Sequence, residues 1–386
     1  MEFELWWLLA LPLFFGLGWL AARVDIRHVM TESRSVPASY FKGLNYLLNE
    51  QPDRAIEAFI EVVKVDSDTV DLHFALGGLF RKRGEVERAI RMHENLVARD
   101  DLSAERQLKA RSELGQDYLK AGLLDRAEEI FDHLQNSDLT GQARQFLLEI
   151  YVQEKDWHKA VAAARELSRI SSQPYQVEIG HYLCELANYA YLHDQADAAR
   201  EYLNEALLAN RDCVRANVLL GDIAVSLNDH NMAITVWRRI ESQSIVHLAL
   251  VTERIMASYR VLGREAEGVT YLRGALARQP SFELFSTVFA SMLRLYGAAA
   301  AYELSREELQ RSPGLRCLDR LLEAEVLVTP LERQADVQLV KSVVQRYSQN
   351  QSAYQCEHCG FKARSFFWHC PACGHWDSFP PQKKEE

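Results

Sequence analysis

The hydrophobic and polar residues between about residues 40 and 347 alternate with a helical period, broken at short intervals by Gly, Asp, Asn or Pro. Aligning these breaks gives a unit in which a small or apolar residue is followed twelve residues later by alanine. A third position of the unit comes sixteen residues after the first. The pattern predicts eight to nine consecutive helix–turn–helix pairs over residues 39–348. Its clearest copies are Gly43/Ala55/Phe59, Gly77/Ala89/His93, Gly115/Ala127/Phe131, Leu148/Ala160/Ala164, Ala187/Ala199/Leu203 and Gly221/Ala233/Trp237.

The first 22 residues have a different pattern, because the 18 residues from Leu5 to Ala22 carry no charge. As a helix this run would span roughly 27 Å, enough to cross a bilayer core. Two glutamates precede it, whereas Arg23 and Arg27 follow it, so the positive-inside rule places the N-terminus in the periplasm and the rest in the cytoplasm. We therefore expect a single-pass inner-membrane anchor at residues 1–22 and a juxtamembrane linker at residues 23–38. The alternative is a cleaved signal peptide with a periplasmic body, but signal peptides begin with basic residues.

Composition limits the remaining classes. The 386 residues are too many for one ordinary core and suit several domains or a repeat array. A formal net charge of -10 disfavours a general nucleic-acid-binding role, because there is no excess of cations to contact phosphates. We find no phosphate-binding Gly-Lys loop, zinc-protease helix or serine-nucleophile elbow, so the chain is not expected to be an enzyme.

Two cysteine pairs near the C-terminus carry the clearest chemistry, Cys356-x-x-Cys359-Gly and Cys370-x-x-Cys373-Gly. A C-x-x-C turn directs two thiolates at one ion, and two such turns complete a tetrahedral four-sulfur site. The sequence therefore predicts one bound metal ion, either zinc or iron, in a reducing compartment. The remaining cysteines have no spacing pattern and are expected to be buried thiols: Cys184, Cys213 and Cys317.

The metal-binding module is predicted over residues 351–380, followed by a charged tail at residues 381–386. Thirty residues cannot bury a sufficient core, so the metal must supply on the order of ten kcal/mol of the folding free energy. We expect its many aromatic residues to dock the module onto the last helical pairs. His358, His369 and His375 neighbour the cysteines and could replace a thiolate, but supporting or surface roles fit better beside four cysteines.

The repeated unit resembles the tetratricopeptide repeat family in Leu76-Gly77-x-x-Phe80-x-x-x-Gly84 and in Leu114-Gly115-x-x-Tyr118-x-x-x-Gly122. The cysteine pairs resemble the knuckles of rubredoxins, C-x-x-C-G and C-P-x-C-G. These resemblances imply an all-α tetratricopeptide-repeat superhelix with one N-terminal transmembrane helix and a small C-terminal rubredoxin-like metal knuckle domain. In such repeats the first helix of each unit lines a groove, so the resemblance implies partner-binding positions on the first helices of this chain. The alternative is that these positions are ordinary solvated helix faces. The positions are Phe74, Arg81, Lys82, Lys109 and Lys120, and their charge would suit an acidic partner segment.

The whole chain, from anchor to Trp368-His369-Cys370-Pro371, resembles the lipopolysaccharide assembly protein B family of Gram-negative bacteria. This resemblance implies an adaptor that restrains lipid A synthesis by promoting degradation of the committing deacetylase. The implied partners are that deacetylase, a membrane-anchored ATP-dependent zinc protease and an inner-membrane protein that senses lipopolysaccharide. An alternative is a scaffold that assembles lipopolysaccharide synthesis and transport proteins without directing proteolysis. The sequence is also compatible with a homo-oligomer of this chain.

Overall fold

The computed structural model describes residue 19 and residues 38–49, 51–65, 70–171, 174–348, 352–381 and 384–385. The predicted anchor at residues 1–22 lies outside the described residues except for Trp19, and the predicted linker lies outside them except for Ala38. Within the described ranges, no helix combines the length and apolarity needed to span a membrane. The chain divides into two compact units between Ala143 and Arg144.

The first unit consists of helices that pack in consecutive pairs. Its core between the first and second pairs is formed by Phe59, Leu76 and Phe80 together with smaller side chains. The helices are α1 (Ala38–Leu48), α2 (Pro52–Val65), α3 (Val70–Arg83), α4 (Val86–Val97), α5 (Ala104–Ala121) and α6 (Leu124–Leu134).

The second unit continues the paired helices and ends in a small sheet. Its main cluster of buried residues extends from Val214 on α11 to Ala324 on α17. The helices are α7 (Thr140–Glu154), which begins just before the division, α8 (Trp157–Ile170), α9 (Gln176–Leu192), α10 (Ala196–Ala209), α11 (Val214–Ser226), α12 (His230–Gln243), a 3₁₀ helix (Ile245–Leu250), α13 (Thr252–Val261), α14 (Glu265–Arg278), α15 (Phe282–Tyr296), α16 (Ala298–Arg311), α17 (Leu315–Val328) and α18 (Leu331–Ser348).

The aligned glycines lie where the two helices of a pair come closest. A Cβ atom at Gly77 would lie 2.3 Å from Nε2 of His93, and one at Gly221 would lie 2.1 Å from Nε1 of Trp237. No side chain fits at such distances, so these positions must be glycine as long as the facing ring is large. The sixteen-residue spacing in the sequence therefore corresponds to a direct contact between the paired helices.

Local signals set several helix ends. The Asp156 side chain accepts a hydrogen bond from the backbone N–H of Lys159 and caps α8, and Asp229 caps α12 by accepting one from Met232. Helix α5 ends at Gly122, which adopts a left-handed conformation with φ of 75°. These turns keep the connections short, so successive helices pack against each other.

The C-terminal segment forms a three-stranded sheet in the order β2-β1-β3, with β1 (Ser352–Gln355) antiparallel to both β2 (Lys362–Ala363) and β3 (Lys384–Glu385). The described residues confirm the predicted helical repeat array with a small metal-binding module at its C-terminal end. Helices α17 and α18 occupy the region for which the sequence predicts a ninth pair.

Candidate metal centre

The two cysteine pairs form two similar knuckles. In the first, the backbone N–H of Gly360 donates to the carbonyl of Cys356, and the N–H of Cys356 donates to the carbonyl of Phe361, each at 2.9 Å. The second knuckle repeats this pattern, with Gly374 donating to Cys370 at 2.9 Å. Gly360 and Gly374 have φ values of 77° and 69°, a left-handed conformation that glycine adopts without steric strain. The knuckle geometry thus explains why each C-x-x-C is followed by glycine.

The four sulfurs lie at distances that suit one tetrahedral ion. Sγ of Cys356 is 3.8 Å from Sγ of Cys373, and Sγ of Cys359 is 3.8 Å from Sγ of Cys370. All four sulfurs lie within 4.8 Å of one another. A tetrahedral zinc–thiolate site with metal–sulfur bonds of about 2.3 Å has sulfurs about 3.8 Å apart. The donor set therefore fits a single ion bound by four cysteines, and both zinc and iron accept this geometry.

The site has a buried side and an exposed side. Cys356 and Cys370 are each 1% exposed, whereas Cys359 is exposed and Cys373 is partly exposed. Burial acts to raise the pKa of the Cys356 thiol, but the nearby Ser378 hydroxyl and the backbone N–H groups of Cys359 and His358 lower it to about 6. This environment favours the thiolate that a metal ion requires.

The residues around the knuckles form a small core of their own. Phe379 is 1% exposed and packs at a ring-centroid distance of 5.8 Å from Phe367. Tyr354, Phe366 and Phe367 surround the buried cysteines with Phe379. We call residues 352–381 the ribbon from here on. Its core is too small to be stable alone, as the sequence analysis expects, so the metal must contribute to its stability.

The ribbon docks onto the helices mainly through Trp376 and its neighbour Asp377. The Trp376 ring stacks on His181 of α9, with centroids 4.6 Å apart and planes 13° apart. The Trp376 ring also makes edge contacts with Tyr182 and Trp157, at centroid distances of 6.0 and 6.5 Å. The side chain of His181 is 1% exposed, and its Nε2 lies 2.8 Å from Oδ2 of Asp377. This contact joins residues 196 positions apart in the sequence.

Trp368 provides a second anchor on the same hairpin. Its ring stacks on His247 of the 3₁₀ helix, with centroids 6.0 Å apart and planes 8° apart. Trp368 also packs against the large buried cluster of the second unit. The module is therefore docked, as expected, but its ring contacts lie earlier in the array than the last helical pairs of the prediction. Near those last pairs, the charges of Glu283 on α15 and Arg316 on α17 act on the Tyr354 hydroxyl of the ribbon. These ring contacts fall on α8, α9 and the 3₁₀ helix, where Trp376 and Trp368 stack on His181 and His247.

A cleft of about 550 Å³ lies between the ribbon and helices α7 and α9. Among the described residues, its walls combine apolar and aromatic groups with two carboxylates, and they include no Lys or Arg side chain. The lining includes Leu148, Glu149, Glu178, Tyr182, Cys373 and Trp376. One edge of the metal site therefore faces a cleft that exists only while the ribbon is docked.

Of the five predicted groove positions, two line a groove in the first unit. Phe74 and Lys109 lie in a groove of about 790 Å³, where Lys109 Nζ is 4.6 Å from the centroid of the Phe74 ring. Phe74 is only 7% exposed, so it contributes mainly to packing. The expected cationic character is not found, because four acidic and two basic side chains line the groove, namely Asp71, Glu105, Glu113 and Asp138 against Arg106 and Lys109.

The other three predicted positions do not belong to the lining of this groove. Arg81 forms ion pairs with Asp117 at 2.7 Å and with Glu113 at 2.5 Å, and its side chain is 18% exposed. These ion pairs hold Arg81 between α3 and α5, so it has a structural role here. Lys82 and Lys120 are exposed on their helices.

Sequence reasoning did not identify the residues that receive the ribbon. His181 and His247 are isolated histidines on helical segments, and neither has a spacing signal that could have marked it. Two cysteines predicted as unrelated buried thiols also meet, because Sγ of Cys184 lies 3.8 Å from Sγ of Cys213. Cys184 lies inside α9, and Cys213 is the N-cap residue of α11, the first helix of the next pair, so only the folded array reveals this contact.

Comparison with known proteins agrees with both parts of the chain. Residues 354–381 match the family described as rubredoxin metal binding domain, and residues 42–103 and 184–243 match the tetratricopeptide repeat family. Lipopolysaccharide assembly protein B of Escherichia coli (strain K12) is 31% identical over 376 residues, which is 97% of each chain. The protein of that name from Haemophilus influenzae is 27% identical over 393 residues, or 98% of each chain. A solved structure of Naa15/Naa10 bound to HypK-THB aligns over 81% of this chain and 46% of that chain, with 15% identity and a TM-score of 0.43.

Proposed function

Because the chain belongs to the lipopolysaccharide assembly protein B family, we propose that it takes part in lipopolysaccharide assembly as an adaptor that is not an enzyme. The adaptor promotes degradation of the deacetylase that commits precursor to lipid A, and a membrane-anchored ATP-dependent zinc protease carries out this degradation. An inner-membrane protein that senses lipopolysaccharide restrains the adaptor. The observation that carries the proposal is an array of paired helices with a four-cysteine ribbon docked on it, because repeat arrays of this kind offer extended surfaces for other proteins.

The proposed location follows from the sequence of the N-terminal segment. A single-pass inner-membrane helix at residues 1–22 holds the repeat array at the cytoplasmic face. Tethering raises the effective concentration of an adaptor beside membrane-bound partners, so weak contacts are enough. The linker at residues 23–38 would reach at most roughly 50 Å when extended, which keeps the partners near the bilayer.

Two surfaces support a role in binding proteins. The first unit has the mixed-charge groove around Phe74 and Lys109, which suits a partner segment with both apolar and charged residues. The second unit has the cleft beside the ribbon, whose carboxylates Glu149 and Glu178 suit a basic side chain. An array with two chemically distinct surfaces can hold a substrate and a protease at the same time, which is what an adaptor requires.

The test is the half-life of the deacetylase after synthesis is stopped, measured by immunoblot in cells with and without this protein. We expect depletion to lengthen the half-life, and wild-type protein to restore it. Cys356→Ser should fail to restore it, because three thiolates no longer complete the metal site. Cys317→Ala, which removes a thiol from α17 outside the ribbon, is the matched control and should restore the half-life.

The second candidate function is a scaffold that assembles lipopolysaccharide synthesis and transport proteins without directing proteolysis. The same groove and cleft favour it, since they bind partners whatever the fate of those partners. An unchanged deacetylase half-life on depletion, together with stable co-purification of synthesis and transport proteins, would contradict the adaptor and support the scaffold.

A further inference from the structure

Two histidines stand at the exposed side of the four-cysteine site. His358 lies inside the first knuckle, His375 directly follows the second, and both side chains are exposed. Their imidazole rings are stacked with centroids 3.5 Å apart and planes 18° apart. Cys356 and Cys370 are buried, whereas Cys359, Cys373 and the two histidines reach solvent, so the histidines lie with the accessible half of the ligand set.

The two imidazoles and one thiolate can reach a common ion. One nitrogen of His358, one nitrogen of His375 and Sγ of Cys373 all lie within 4.8 Å of one another. Nδ1 of His375 lies 3.3 Å from the carbonyl oxygen of Cys373, which accepts a hydrogen bond when Nδ1 carries the proton. Nε2 of His375 then keeps a lone pair for a metal. Ligands of one tetrahedral ion are about 3.3–3.8 Å apart. Because an imidazole lone pair lies in the plane of its ring, the two stacked rings must turn out of their parallel arrangement to bind one ion, and both are exposed enough to turn.

The charge of the first site favours a second cation. Four thiolates around a divalent ion carry a net charge of about −2, and each bound thiolate sulfur keeps lone pairs. An imidazole that binds a metal through a nitrogen lone pair adds a ligand without adding charge. We propose that His358, His375 and a bridging Cys373 thiolate form a second metal site, which takes a zinc-class divalent ion with water as the fourth ligand.

An ion held by His358 and His375 already shares Cys373 with the buried position, so it can move inwards when that position is vacant. The second ion is more exposed and has fewer protein ligands, so it binds more weakly than the first. The inference concerns metal binding alone and does not depend on the adaptor or the scaffold function.

The test is a Co²⁺ and Zn²⁺ titration of the full-length protein, comparing wild type with the double variant His358→Ala/His375→Ala. We expect wild type to bind one more ion per chain than the double variant, and each single variant to weaken the second ion by at least about tenfold. In wild type the second equivalent of Co²⁺ should change the thiolate-to-cobalt absorption, because Cys373 becomes a bridging ligand. His133→Ala, which removes an exposed histidine from α6, is the matched control and should keep the wild-type stoichiometry.

Equal metal content in wild type and the double variant would overturn the proposal, whether or not the double variant binds its ion more weakly. Equal stoichiometry in wild type and the double variant would show that the histidines bind no additional ion. A single ion in both proteins, bound about 10- to 100-fold more weakly by the double variant, would mean that the imidazoles only support the four thiolates. Both proteins must retain the first ion and the same near-ultraviolet circular dichroism, which checks that the exposed substitutions leave the ribbon folded.

Discussion

Gly77→Ala tests the contact between the two helices of the second pair. An alanine Cβ at this position would lie 2.3 Å from Nε2 and 2.4 Å from Cε1 of His93. The His93 ring is 0% exposed, and its Nδ1 lies 2.5 Å from Oδ2 of Asp117 on α5. The ring therefore cannot move away from the new methyl group without giving up this buried hydrogen bond.

The size of the effect follows from three terms. Overpacking a core costs about 1–3 kcal/mol. Loss of a hydrogen bond to a charged group costs about 1.5–3 kcal/mol. Alanine returns about 1 kcal/mol of helix propensity relative to glycine. We therefore expect Gly77→Ala to lower the local free energy of unfolding by about 1.5–5 kcal/mol.

Gly78→Ala on the same helix is the matched control. Beyond its chain neighbours and the backbone of its own helix, no atom of the described residues lies within 4 Å of a Cβ built at Gly78, so this variant should gain up to about 1 kcal/mol from helix propensity. Native-state hydrogen exchange of the amides in α3 and α4 measures both effects. Protection should fall by at least about tenfold in Gly77→Ala relative to wild type, and it should not fall in Gly78→Ala. Equal protection in the two variants would refute the close contact and the sixteen-residue register.

Three further predictions concern the ribbon. Cys356→Ser should bind no structural metal and lose the folded ribbon, as measured by metal content and near-ultraviolet circular dichroism. Trp376→Ala removes three ring contacts worth about 0.5–1.5 kcal/mol each, which should loosen the docked ribbon and with it the Trp368 ring that covers His247. Diethylpyrocarbonate should therefore label His247 faster in this variant, whereas Phe361→Ala should leave the labelling rate unchanged. Equal labelling rates in the two variants would contradict docking through Trp376. Burial lowers the pKa of His247 from its ordinary 6.5, so the unfolded state takes up a proton first as pH falls. Stability should therefore decline below about pH 6.5, by at most about 1.4 kcal/mol per pH unit, and His247→Gln should reduce this slope in pH-dependent denaturation.

The parts of the structure that sequence predicts well are those fixed by contacts over short chain distances. The sixteen-residue spacing between Gly221 and Trp237 is a contact within one helix pair, so a repeated pattern in the sequence reveals it. The two knuckles are local turns, and their cysteines and glycines identify both the ligands and the backbone conformation. The metal centre is readable because each half of it is encoded by five consecutive residues.

The parts that sequence does not predict depend on contacts between distant elements. Arg81 has the charge and helix position expected of a groove residue, but Asp117 on a neighbouring pair draws it into an ion pair. The docking position of the ribbon depends on His181, which meets Asp377 across 196 residues. No periodicity links such positions, because the contact is set by how successive pairs stack and where the ribbon then fits.

Metal binding determines which groups of the second unit are covered, because the hairpin of the second knuckle both holds the metal ligands Cys370 and Cys373 and covers rings on the helices. Trp368 and Trp376 lie on opposite arms of this hairpin, joined by a bridge between His369 and Trp376. The same two rings cover His247 and His181, so the fold that the metal stabilises is also the fold that docks. Loss of the ion would therefore uncover buried groups on the helices and abolish the cleft beside the ribbon. A partner that needs this cleft would bind only the metal-loaded chain, whereas a partner of the first-unit groove would bind with or without the metal.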